Sequence, residues 1–370
     1  MKKSELPLYL VLLITMVSCS ANKQTIRLFA GKFTAPGEKG FCIFDMNQKE
    51  GTFNLLSESD AGPNPSYFCI SGKSGLIYAA NEVRNFNSGK GGGVTTLRYD
   101  SKTGTAEKIA GFPIPNGSPC FISLSPGKDY LFLANYSGSS VTVVKLDENG
   151  IPEKISDSIS FVGEDGKISH PHMILSDPDG KRIYQTDLGL DQIVIYDFDA
   201  SSGKLQQLKN GIVKLPTGSG PRHFVFNSGG TKMYVINELN SSLSVFNVDN
   251  EGGLENLQTI STLREDFKGK NSSADVHLSK KGDFLYGSNR GENTIVTFRI
   301  GSDGLLSLAG HTTCGGEVPR NFVIDPSGNY ILVGNQRSGN ITVFRINEKT
   351  GVPIEPGIDI KIKSPACLKF

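Results

Sequence analysis

The chain repeats itself. A segment of roughly fifty residues recurs seven times, with a proline opening an apolar strand, a glycine turn, and an aromatic residue or leucine three places before an asparagine. Six copies run over residues 64–82, 118–136, 170–188, 220–238, 274–290 and 318–336. The seventh is split across the ends, residues 364–370 supplying its first strand and residues 26–33 its second. A fixed period of this size, made of strands and turns, belongs to a radial array closed into a ring. The expected fold is all-β: a seven-bladed β-propeller with four antiparallel strands per blade, closed by pairing residues around Leu368 with residues around Phe29.

A ring of similar blades is one unit, so a length of 370 residues does not imply two domains here. Residues 19–370 read as a single propeller domain, and residues 1–18 are of a different kind. Lys2 and Lys3 precede an apolar run from Leu6 to Val17, too short to cross a bilayer comfortably and of the form of a secretory signal. The segment Met16, Val17, Ser18, Cys19 resembles a bacterial lipobox, which makes Cys19 the expected lipidated mature N-terminus and the protein exported. Ser20 after that cysteine favours the outer membrane. Contact with a membrane is expected only through the lipid. A net charge of +1 and the lack of a basic stripe give no reason to expect nucleic acid. Five further cysteines, at 42, 69, 120, 314 and 367, show no regular spacing and read as small buried apolar residues. No metal or cofactor is called for, and a monomer is expected.

Prolines suit the start of a first strand, where a missing N–H is tolerated. The residues ending the second strands, Asn81, Asn135, Asp187, Asn237, Asn289 and Asn335, can turn the chain with their own side chains and read as structural. Next to these fixed markers the copies disagree. After the prolines stand Ser66, Cys120, His172, Arg222, Val276 (with Asp275 in the proline's place), Arg320 and Ala366. After the asparagines stand Glu82, Tyr136, Leu188, Glu238, Arg290 and Gln336, with Phe33 in the split copy. A shared register sends both sets toward one face of the ring, near its centre. Unpaired charge is costly in such a place, so the grouping of His172, Arg222, Glu238, Arg290, Arg320 and Gln336 on four consecutive blades points to a site for an anionic substrate. The competing reading is a plug of mutual salt bridges. His170 is a second-choice base, whereas His223 and His277 read as packed or hydrogen-bonded within strands, and His311 as a loop residue. No G-x-S-x-G segment offers a nucleophilic serine.

The segments around His170 and His172, Thr186 to Gly189, Gly220 to His223, Asn237 to Leu239, Ser288 to Gly291 and Val318 to Asn321 resemble the signature segments of the seven-bladed-propeller lactonases. That family is best known for 6-phosphogluconolactonase activity in glucose metabolism and includes muconate-lactonising relatives. The resemblance implies that His172, Arg222 and Glu238 are catalytic and that Arg290 lines the pocket. Arg320, Gln336, Glu82 and His170 are added as substrate-binding residues from the overlay of the repeats. Departures lie at Gly31 to Thr34, where Lys32 and Phe33 alter one side of the pocket. The expected function is hydrolysis of a sugar lactone, with 6-phosphogluconolactone, which gives an anionic sugar acid, as the default. Its alternatives are a muconate-type cycloisomerase and a non-catalytic propeller binding a carbohydrate or a protein.

Overall fold

The computed structural model describes residues 25–370 apart from Gly51, Lys73 and Asp165. The signal-like segment and Cys19 lie outside the described residues. The chain forms seven antiparallel sheets, which are the blades. Blade 1 joins residues 25–59 to the C-terminal strand Pro365–Lys369, and blades 2 to 7 span residues 65–115, 119–160, 171–214, 221–261, 272–313 and 319–361. Six sheets have four strands. Blade 2 has a fifth, because Asn85–Phe86 folds back on the long strand Gly89–Asp100. No helix occurs among the described residues.

The ends meet where the repeat predicts. Phe29 faces Lys369, Ala30 faces Leu368 and Gly31 faces Cys367. The C-terminal strand therefore becomes the innermost strand of the first blade and packs between the inner strands of blades 2 and 7. Alternate faces of each sheet pack on neighbouring blades, which explains second strands buried on both sides, such as Leu131, Phe132, Leu133 and Ala134. Cys42, Cys69, Cys120, Cys314 and Cys367 are free thiols buried in these layers.

A tyrosine fastens six of the seven blades to the next. The hydroxyls of Tyr78, Tyr130, Tyr184, Tyr234 and Tyr286 donate to Gly150, Ala200, Gly252, Gly304 and Gly351 carbonyls at 2.7–3.0 Å. Tyr330 of blade 7 does the same on the carbonyl of Lys49 in blade 1, at 3.4 Å. Each places an apolar ring between blades while its one polar atom finds a partner. The strand-ending asparagines do a similar task within a blade. Asn81 donates to the carbonyls of Ala61 and Pro63, and Asn237 to the hydroxyls of Ser242 and Ser244.

Every inner strand carries a β-bulge at its first turn. Pro65, Pro119, Pro171, Pro221, Pro319 and Pro365 face Asn81, Asn135, Asp187, Asn237, Asn335 and Lys32, and the ladder slips by one residue directly after each. The slipped residue is the one after the proline. A bulge re-aims a side chain out of the pleat, so one of the two variable positions of each blade is its bulge. Blade 6 corrects the sequence reading. Ser273, not Asp275, faces Asn289, and Val276 faces Gly287. Ala274 is thus the bulge residue and Asp275 follows it, because this copy lacks the proline that marks the register elsewhere.

Deleting residues 364–370 should leave the ring open with an unpaired strand edge. The thermal midpoint of the truncated protein, followed by circular dichroism, is expected to fall by more than about 10 °C, beyond what a single lost contact gives. An unchanged midpoint would contradict the closure.

Candidate active site

The backbone brings the two variable positions of each blade side by side. In blade 5 the amide of Glu238 donates to the carbonyl of Gly220 at 2.7 Å. The same bond joins Glu82 to Asn64, Tyr136 to Ser118, Leu188 to His170, Gln336 to Val318 and Phe33 to Ser364, at 2.9–3.1 Å. Gly220 sits at φ 64°, and a Cβ there would stand 2.4 Å from the Leu239 side chain. Glycine is therefore the unstrained choice at the turn that sets Arg222 beside Glu238, although Asn64, Val318 and Ser364 hold similar φ in their own blades.

The charged residues of blades 5 and 6 converge. Glu238 lies 2.9 Å from Arg222 Nε and 2.7 Å from Arg290 Nη2, so one carboxylate oxygen serves two guanidinium groups. The Arg222 contact is an ion pair by distance; its N–H is not aligned on the carboxylate. Arg290 also donates to the carbonyls of Ser272 and Ser273, and Arg222 Nη1 to the carbonyl of Ala274. Arg222 is 2% exposed and His172 is 4% exposed. Across the hub, Arg320 lies over the Phe33 ring at 5.0 Å and only 3.6 Å from Glu82, too far for a hydrogen bond. Arg222, Arg290 and Arg320 face the carboxylates of Glu82 and Glu238, and the ionised Asp275 lies close enough to Arg222 to act on its charge. The salt-bridge plug is thus realised on the Glu238 side, with Arg320 the least compensated cation.

His172 occupies the other side. Its ring meets Tyr136 edge-on at 5.7 Å and His223 at 5.1 Å, and its Nδ1 is buried without a hydrogen-bond partner. His170 is turned away from this pair. It stacks flat on Tyr136 at 4.3 Å, with its Nδ1 3.0 Å from the Tyr136 carbonyl. Gln336 is half-buried at the equivalent position of blade 7. Tyr136 stood among the variable residues of the sequence but was not singled out, since an aromatic side chain carries no obvious charge chemistry.

Burial, then the Arg222 charge, then His223, hold the His172 imidazole well below its ordinary range, so it is neutral. Burial and then Arg290 bring Arg222 down to about 10, still protonated near neutrality. Burial alone would raise the Glu238 carboxyl. Arg290 and then Arg222 outweigh it and keep the group ionised. A neutral imidazole, a fixed cationic wall and an anchoring carboxylate can take a proton from water and stabilise a negative oxygen.

Removing the shared carboxylate by Glu238→Gln should cost about 3–5 kcal/mol, because it strands Arg222 in the interior; urea unfolding reads the loss, and a value under about 1 kcal/mol would contradict the clamp. Stability should also depend on pH. Burial and then Arg222 push His223 down to about 4, and His172 is lowered likewise. Between pH 4 and about 6.5 the unfolded chain therefore binds protons that the folded chain refuses. This contribution is complete above about pH 6.5 and is lost as the pH falls toward 4. Calorimetry should give a lower midpoint at pH 5 than at pH 7.5; equal midpoints would contradict neutral burial of the two rings.

Comparison with known proteins adds the family. The profile described as Lactonase, 7-bladed beta-propeller matches residues 27–370. The chain is 35% identical over 337 residues to a 6-phosphogluconolactonase of Formosa agariphila, covering 88% of this chain and 93% of that one. A structure from Bacteroides fragilis, put forward as a 6-phosphogluconolactonase, is similar at TM-score 0.86 and 30% identity, with 95% and 99% of the two chains covered. The Pseudomonas aeruginosa periplasmic gluconolactonase is similar at TM-score 0.87 and 29% identity, with 93% and 98% covered.

Proposed function

The chain belongs to the seven-bladed β-propeller lactonases, and from that membership we propose that it is a hydrolase opening a sugar lactone in the manner of a 6-phosphogluconolactonase. The observation that carries the reading is that neutral His172 packs against His223, whose ring lies 3.4 Å from Nη1 of the Glu238-clamped Arg222. Of the three readings of the sequence, hydrolysis is the one that the relatives' names support.

Water adds to the lactone carbonyl as His172 takes its proton. Arg222 faces the oxygen on which charge develops. The carbon–oxygen bond of the ring then breaks, and the ring oxygen takes the proton from His172 as the alcohol forms. The acid so made ionises, releasing one proton per turnover. Glu238 orients Arg222 and Arg290 by ion pairing. Arg320 is the group available to an anionic substituent or to the product carboxylate, with Glu82, Gln336 and His170 around the rim. Aldonolactones already open in water, so positioning and one proton transfer are enough. No step calls for a metal or cofactor.

A second reading, an unphosphorylated gluconolactone as substrate, is favoured by the periplasmic relative. It agrees with export of a monomer lipidated at Cys19, which we propose from residues 1–19. In an assay of mature protein on a lactone panel with and without a 6-phosphate, His172→Ala should lower kcat by about 10²–10⁴-fold. Equal rates for the two proteins on every lactone would reject the hydrolase reading; preference for the phosphorylated member would reject the second one.

A further inference from the structure

Directly below the charged ring is a second layer, to which the steps above assign no task. It is formed by the residue after each bulge: Tyr67, Phe121, Met173, His223, Asp275, Asn321 and Cys367. The aromatic half is packed, Tyr67 stacking on Phe121 at 4.3 Å and both meeting His223 edge-on. The polar half centres on Asp275, which is 2% exposed. One of its oxygens takes His223 Nδ1 at 2.7 Å. The other takes His277 Nε2 at 3.0 Å, the Asn321 amide and the backbone N–H of Phe322 at 3.3 Å.

A carboxylate surrounded by donors is an acceptor only, so the proton of the neutral His223 ring sits on Nδ1 and Nε2 is bare. Arg222 Nη1 lies 3.4 Å from both nitrogens of that ring. Equal distances of this size are reached over the face of an imidazole; in its plane the guanidinium would collide with the carbon between the nitrogens. Arginine stacks on such faces. A protonated ring would instead repel it. With the Ala274 carbonyl and Glu238, the His223 face completes a three-sided seat for Arg222.

We propose that His223, with its tautomer set by Asp275, is the positioning residue that aims Arg222 at the reacting carbonyl. The proposal rests on the lactone-opening reading and concerns how that site is held. A purely structural role, tying the inner strands of blades 5, 6 and 7 through Asp275, accounts for the carboxylate's bonds but not for the guanidinium lying on the ring.

The test is a double-mutant cycle on the full mature protein with δ-gluconolactone as probe. His223→Gln keeps a donor for Asp275 and removes the ring face. It should lower kcat at least tenfold, on the order of what misplacing a catalytic group costs, with KM changed less than about threefold. In an Arg222→Lys background the same substitution should change kcat less than about twofold, because what it positions is gone. Equal factors in both backgrounds, or full kcat in a folded His223→Gln protein, overturn the proposal. Nitrogen NMR of the wild-type histidines can overturn it without any variant. A protonated Nδ1 and a bare Nε2 on His223 at pH 7 are required; the opposite tautomer or an imidazolium overturns it. Should the wild type open no lactone, the functional reading fails, and the NMR result still decides the tautomer.

Discussion

Ring closure governs everything else in this molecule. The last strand of the chain must pair with the first, Ala30 opposite Leu368, before seven inner strands can stand around one axis. Once they do, a local irregularity becomes a global device. Each inner strand has its bulge at the same depth, and each bulge turns one side chain out of the ladder. Residues far apart in sequence, such as Glu82 and Arg320, or Arg222 and Arg290, are thereby presented to each other with no loop needed to fetch them. A site built on strands of a closed ring is also stiff, which suits chemistry that depends on orientation.

The electrostatics of the hub oppose stability. Arg222 and His172 are almost wholly out of water, and the burial of such groups is costly unless they are paired. The cost is met for Arg222 by Glu238 and the Ala274 carbonyl. His172 avoids it by staying neutral. Replacing a buried ion pair by apolar residues is often stabilising, so the persistence of this one is hard to explain by folding alone. Arg320 stands apart, leaning on Phe33 with its carboxylate partner out of bonding range. It is the charge best placed to exchange a weak internal contact for a substrate.

The period of the repeat, the split blade, the closing pair of strands and the two variable positions per blade were all legible in the residues. The bulges were not, although the overlay of copies located them without naming their cause. Blade 6 was misaligned because Ser273 stands where the other copies have proline, and a period marked by one residue type slips when that residue is missing. The fifth strand of blade 2 escaped notice because Asn85–Phe86 is too short to carry a pattern. Five of the tyrosine latches join residues 65–72 positions apart and the sixth joins the two ends of the chain, distances at which sequence gives no register. His223 was rightly read as hydrogen-bonded within a strand; its stacking under Arg222 depends on the ring having closed.

The central claim is that His172, Arg222, Glu238, Arg290 and Arg320, from blades 4 to 7, form one binding centre. A crystal structure with gluconate, the open product, tests it most directly. The account predicts the carboxylate within hydrogen-bonding distance of Arg222 or Arg320 and beside the His172 ring. Gluconate bound only at the outer groove between Arg337 and Lys363, with the Glu238 clamp and His172 untouched, would contradict it.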